Sequence, residues 1–328
     1  MKKIDRFLII FYYNFQTMKI SVEKNSIFKT LSHVQSIVEK NNSIPVLNNL
    51  LIEAKNNSLT LSATDMDISI TESLNCSIIE EGSVSVPAHT LYDIIRKIPE
   101  GNEIEFISSD GKMFTIRSGK SRFSLGCLPK EDFPIIEFDN LNSELSIEAP
   151  FLLKLIEKTR FAISNEDTRY FLNGIYFHKR NNDEKDCLSM VATDGHRLAK
   201  IDFNLGNNSV DIPGVIIPKK TINELCKLLS DYKGTVKINL DPNKIIFFID
   251  NSILISKLID GTFPDYQKVI PTNNTNVLKV QRNALGYAVD RVSTITTDKS
   301  PAIKFKLLSN VMNMTSIDSE NGSATEDM

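Results

Sequence analysis

The chain has 328 residues, 41% of them hydrophobic and 24% charged, with a formal net charge of −3. That apolar content supports two or three domain cores and excludes general disorder. A weakly acidic chain does not grip nucleic acid over its whole surface, so any such contact must be confined to one face.

The four cysteines, Cys76, Cys127, Cys187 and Cys226, stand far apart and form no CxxC pair. Such usage fits reduced thiols in a cytoplasm and argues against a zinc site.

The chain opens with MKKIDRFLIIFYYNFQT, two lysines followed by an apolar run. The run is too short to span a membrane, and no small-residue cleavage site follows it. Met18 then opens KISVEKNSIF, which reads as a domain start. Residues 1–17 are therefore expected to be an extension or a mis-assigned start.

From Met18 onward one unit repeats. Its first copy begins with a helical pattern over 25–38. NLLIEAKNNSLTLSATD then alternates apolar and polar residues around Asn56-Asn57, the signal of a hairpin. VSVPAHTLYDIIRKI (84–98) is a short strand, Pro87 and an amphipathic helix. FTIRSGKSRFSLGCLPKEDFP closes the copy with strands.

The second copy repeats this order. A helix is expected over 149–164, a hairpin in LNGIYFHKRNNDEKDCLSMVATD, and a strand, Pro218 and helix over 215–229. Strands in IIFFIDNSILISKLIDGTFP close it. A third copy offers a helix over 281–295 and the hairpin AIKFKLLSNVMNMTSID. The aspartates that end the three hairpins, Asp65, Asp194 and Asp318, are spaced by 129 and 124 residues.

The fold class expected is α+β, a tandem repeat with two complete copies and a partial third. The boundaries fall at 18–142, 143–273 and 274–328. The third copy shows no second helix or closing strands, so by the logic of repeats it is expected not to complete its own core.

VATDGHRLAK, Val191 to Lys200, gathers Asp194, His196 and Arg197 within four residues. The aspartate recurs in all three copies, and the His-Arg pair does not. A recurring aspartate after a strand is most simply a turn former whose carboxylate caps backbone N–H groups. Catalysis would need a nucleophile, and Thr193 is the only neighbour to offer one. Metal binding would need ligands that His33, His89 and His178 do not supply by spacing. His196 and Arg197 are then candidates for a surface special to copy two. Basic residues also recur on equivalent helices: Lys154, Lys158 and Arg160 on one, and Arg96, Lys97, Lys219, Lys220 and Lys227 on others. One such helix is a solvated face. Their recurrence suggests a shared basic surface for sequence-independent phosphate contact.

ATDGHRLA, with RYFLNG before it and SKLIDGTFPDY after it, resembles the bacterial sliding clamp family, the beta subunit of DNA polymerase III. MKISVEK, SIPVLNNLLIEA, ATDMDISI, VPAHTLYDIIRKIPEG and SGKSRFSLGCLPKEDFP fit in order, from Met18 to about residue 325. The resemblance implies three like domains per chain, with DNA-clamp helices on an inner face and antiparallel sheets on an outer face. It implies a head-to-tail homodimer ring around duplex DNA, a processivity factor for the replicative polymerase in the cytoplasm. No catalytic activity, cofactor or metal is implied.

The resemblance also implies site residues. A pocket for short peptides from polymerases, the clamp loader and repair proteins would include Leu172, Thr193, Gly195, His196, Arg197, Leu198, Pro264, Lys268 and Val269. DNA contacts would come from Lys40, Arg96, Lys97, Arg169, Tyr170, Phe171 and Lys220. Phe123 and Leu125 would meet Ile295 of a second subunit. The family continues through a full third domain. The half-length third copy here therefore carries the expectation of impaired ring closure and weakened peptide binding. The alternative is a monomeric remnant that binds partner peptides without forming a ring.

Overall fold

The computed structural model describes residues 17–40, 42–109, 111–134, 143–182, 185–204, 212–240, 243–297 and 302–328. The expected extension 1–17 lies outside them except for Thr17. So does 135–142, which leads up to the first expected domain boundary.

Copy one runs β1 (Met18–Glu23), α1 (Lys24–Val34), β2 (Asn49–Lys55), β3 (Ser58–Thr64), β4 (Ile68–Asn75), β5 (Ser77–Glu80), β6 (Gly82–Pro87), α2 (Ala88–Lys97), β7 (Glu103–Ser108), β8 (Met113–Ser118) and β9 (Ser121–Gly126). Copy two runs β10 (Ser143–Glu148), α3 (Ala149–Glu157), β11 (Gly174–Asn182), β12 (Lys185–Thr193), β13 (Leu198–Asn204), β14 (Val215–Pro218), α4 (Lys219–Leu229), β15 (Thr235–Leu240), β16 (Lys244–Ile249) and β17 (Ser252–Lys257). α5 (Arg282–Ser293), β18 (Lys304–Leu308), β19 (Val311–Asp318) and β20 (Gly322–Asp327) follow. Among the described residues, β5, an added strand beside β1, is the element of copy one without a counterpart in copy two.

Local sequence explains most of these elements. Met18, Ile20 and Val22 alternate inward along β1, and Leu59, Leu61 and Ala63 do so along β3. Asn56 and Asn57 take φ of 51° and 59°, the left-handed pair of a type I′ turn that suits the twist of the β2–β3 hairpin. In α2, Ala88, Leu91 and Ile95 are buried at helical spacing, while Arg96 and Lys97 stay exposed.

Helix α3 ends earlier than its pattern predicts. The Thr159 hydroxyl donates back to the carbonyls of Leu155 and Ile156 at 3.1 and 3.2 Å, competing with the helical ladder. A 3₁₀ turn, Arg160–Ala162, takes over, so Lys158 caps the helix and Arg160 lies beyond it.

Two compact units result, 1–263 and 264–328. In the first, the sheet orders are β5-β1-β7-β8-β9, β10-β15-β16-β17-β4-β3-β2-β6 and β13-β12-β11-β14. The eight-stranded sheet crosses from copy two to copy one where β17 pairs antiparallel with β4, setting Leu254 opposite Ile70. This pairing fuses the first two copies into one unit with a continuous core. α1 packs on α2 and α3 on α4, and α1 also touches α4 across the seam.

The second unit is small. Its sheet order is β18-β19-β20, and α5 packs on β19 and β20 around Ala288, Val292, Met312 and Met314. Phe305, Leu307, Leu308 and Ile317 of this unit are exposed.

Candidate functional site

The VATDGHRLAK segment is a turn built by its aspartate. Asp194 Oδ1 accepts the N–H groups of His196 and Arg197 at 3.0 and 2.9 Å, and Oδ2 accepts Arg197 Nε at 3.0 Å. These backbone bonds, with the Arg197 side chain, hold the Asp194 carboxyl at a pKa of about 2, well below its ordinary 3.8. Thr193 Oγ1 donates to the Arg197 carbonyl at 2.8 Å and accepts from Gly195 N–H. Gly195 has φ of +88°, and a Cβ there would collide with the Arg169 guanidinium.

The same device appears twice more. Asp65 Oδ1 accepts from Asp67 and Ile68 N–H at 2.9 and 2.8 Å. Asp318 Oδ1 accepts from Glu320 and Asn321 N–H, both at 2.9 Å. The recurring aspartate is therefore a turn former.

In the first unit, Leu172 and Thr193 are buried and Leu198 is half-buried, while Gly195, His196 and Arg197 are exposed. The Arg197 guanidinium lies 5.8 Å from the centroid of the Phe161 ring, itself 56% exposed. The loop Asp167–Leu172 stands beside the turn because Arg169 bridges to it: Arg169 Nη2 donates to the Asp194 carbonyl at 3.2 Å. Apolar surface beside a rigid polar turn is suited to holding a short peptide by its apolar side chains while polar groups set its direction.

In the second unit, Pro264 and Val269 are exposed. Lys268 pairs with Asp265 at 2.9 Å, which raises the lysine pKa and lowers that of the aspartate.

The expected DNA-facing cations fall into two groups. Lys40 and Lys97 are exposed, and Arg96 is exposed beside Asp93 at 3.0 Å and the Tyr92 ring. Tyr170 is exposed and stacks edge-on against the half-buried Phe171.

Arg169 and Lys220 instead have internal partners. Arg169 Nε and Nη2 bind both Glu166 oxygens at 2.9 and 2.6 Å. Lys220, in the first turn of α4, pairs with Asp65 and lies 3.5 Å from Glu39, both in copy one. Burial disfavours its charge, but the hydrogen bond to Asp65 and the two carboxylates outweigh that and raise its pKa.

Phe123 and Leu125 lie on β9, an edge of the five-stranded sheet, with Phe123 exposed and Leu125 half-buried against the core. Ile295 is not on the helix as expected. α5 ends at Ser293, and Ile295 is half-buried in the turn after it. A buried cluster escaped the sequence reading altogether. Glu72 accepts from Thr30 at 3.1 Å and pairs with His33 at 2.9 Å. Glu326 and Arg291 form the equivalent pair in copy three. The signal was an acid on the fourth strand and a base on the first helix of copies one and three, whereas copy two has Ile201 at the acid's place. Only alignment of the repeats pairs them.

Among the described residues no group of three His, Cys, Asp or Glu is placed to hold a metal, and no helix is long and apolar enough to cross a membrane.

Three family models match in chain order: the DNA polymerase III beta subunit N-terminal domain over 18–137, the central domain over 146–265 and the C-terminal domain over 267–328. A beta sliding clamp of Caulobacter vibrioides is 42% identical over 95% of this chain and 84% of its own length. That of Rickettsia bellii is 36% identical over 94% and 81%. A crystal structure of a Bartonella birtlesii sliding clamp bound to griselimycin aligns with a TM-score of 0.90 at 43% identity, covering 95% of this chain and 84% of that one. A Caulobacter crescentus clamp aligns at 0.91 and 42%, with the same coverage. Matches that run through all three copies do not favour the monomeric-remnant reading. With three repeated domains, a non-catalytic turn at the segment that first suggested an active site, and these relatives, the chain belongs to the beta sliding clamps, the processivity subunits of DNA polymerase III that act with DNA and the polymerase.

Proposed function

We propose that two copies of this chain join head to tail through β9 of one and β20 of the other, closing a ring around duplex DNA. The observation that carries this reading is the β17–β4 seam inside the chain. In the repeat, β9 corresponds to β17 and β20 to β4. Both β9 and β20 are edge strands among the described residues. Phe123 occupies the place of Leu254, which is fully buried at the seam, and it is 37% exposed. An edge strand with an exposed aromatic is a template for strand addition.

Lys40, Arg96, Lys97, Tyr170 and Phe171 then meet the duplex without reading its sequence. Leu172, Thr193, Gly195, His196, Arg197 and Leu198 take short peptides from the polymerase, the clamp loader and repair proteins. The separated cysteines fit a cytoplasmic setting. The test is retention on closed circular duplex DNA after loading by a clamp loader. A ring stays on the circle and runs off when the DNA is linearised. A peptide-binding monomer is not retained on either.

A further inference from the structure

The Arg169 guanidinium holds three acceptors from two segments. Nε and Nη2 grip both carboxylate oxygens of Glu166 at 2.9 and 2.6 Å, a bidentate geometry. Nη2 also donates to the carbonyl of Asp194 at 3.2 Å. Asp194 is the residue whose carboxylate fixes the N–H groups of His196 and Arg197, so the guanidinium braces the backbone at the turn's origin. The Cβ-free, left-handed Gly195 leaves the room that the guanidinium occupies. Among the described residues, copy one shows no such brace. Its equivalent turn carries Met66 at φ 78°, and Asp65 is tied instead to Lys220.

We propose that Arg169 is a positioning residue of the 193–198 turn, clasped in place by Glu166, and not a phosphate contact. This rests on the reading of that turn as a peptide-docking site. A phosphate approaching Arg169 would meet a guanidinium whose charge a bidentate carboxylate already offsets, and Glu166, exposed on the same loop, would repel it. Held as it is, the guanidinium limits where the His196 and Arg197 side chains can present themselves. Glu166 acts through Arg169, so the two are one device.

The test uses the full-length chain, Arg169→Gln, Glu166→Gln and the double variant. Three quantities are read: affinity for a fluorescein-labelled peptide from the clamp-contacting segment of a DNA polymerase III catalytic subunit, the salt slope of duplex DNA binding, and amide exchange at His196 and Arg197. Arg169→Gln is expected to weaken the peptide on the order of tenfold and to speed exchange at both amides. The salt slope should stay unchanged. Glu166→Gln should act in the same direction, and the double variant should be no worse than Arg169→Gln alone.

A slope smaller by about 0.9 with peptide affinity and exchange unaltered makes Arg169 a phosphate contact and overturns the proposal. Equal peptide binding by the unmutated chain and Arg169→Gln overturns the brace alone. No peptide binding by the unmutated chain overturns the docking reading, and the proposal with it.

Discussion

Asp65 ties two levels of structure together with one carboxylate. Oδ1 closes the turn between β3 and β4 through the N–H groups of Asp67 and Ile68, and Oδ2 receives the Lys220 ammonium from copy two. Its side chain is only 9% exposed. Asp65→Ala removes both functions. The two backbone bonds contribute about 1 kcal/mol each, and the half-exposed ion pair adds about 1 kcal/mol, so the expected loss is about 3 kcal/mol. Asp65→Asn keeps an oxygen for the turn and gives up the charge, so it should cost only about 1 kcal/mol. Lys220→Met should cost the same and should not add to Asp65→Asn, because both delete one pair. Urea unfolding read by fluorescence of the eight tyrosines gives the stabilities. Amide exchange along β4 and β17 shows whether the seam loosens. Equal costs for Asp65→Ala and Asp65→Asn would refute the reasoning, since the turn would then owe nothing to its aspartate.

The Asp194 carboxyl titrates at about 2 in the folded turn against an ordinary 3.8. A depressed acid stabilises the fold above the ordinary value, and that contribution disappears as pH falls from about 4 through 2. Carboxyl chemical shifts that titrate near 4 would contradict it. Leu254→Ala empties a fully buried position on the seam strand and is expected to cost about 2–5 kcal/mol, read from the same urea curves. Asn57→Val places a β-branched residue at φ 59° in the first hairpin and is expected to cost about 1–2 kcal/mol, whereas Asn57→Gly should be neutral; thermal melts of both compare them directly.

The repeat was legible because its punctuation is local. Asn56-Asn57 marks a turn, Pro87 and Pro218 precede helices, and Asp65 and Asp194 follow, and Asp318 ends, the second strand of each hairpin. What was not legible depends on residues far apart in the chain. Nothing near Lys220 in sequence announces Asp65, 155 positions away, so a lysine on an amphipathic helix reads as a solvent-facing cation. The early end of α3 turns on the Thr159 hydroxyl, whose bond to the helix competes with a hydrophobic period that continues past it. Ile295 falls off α5 because the helical pattern outlasts the helix by two residues. At the candidate site the turn residues were found by pattern and resemblance. The Glu166–Arg169 clasp was not, since i,i+3 partners outside a regular helix meet only when the loop folds back.

The most direct measurement is the molar mass of the purified chain in solution, by light scattering over a concentration series, alongside Phe123→Asp. A ring closed through β9 and β20 gives twice the 37.0 kDa of one chain at micromolar concentration, and the aspartate on β9 returns it to a single chain. A chain that stays at 37.0 kDa throughout, or whose association ignores Phe123→Asp, would contradict the ring and leave the β17–β4 seam without a counterpart between subunits.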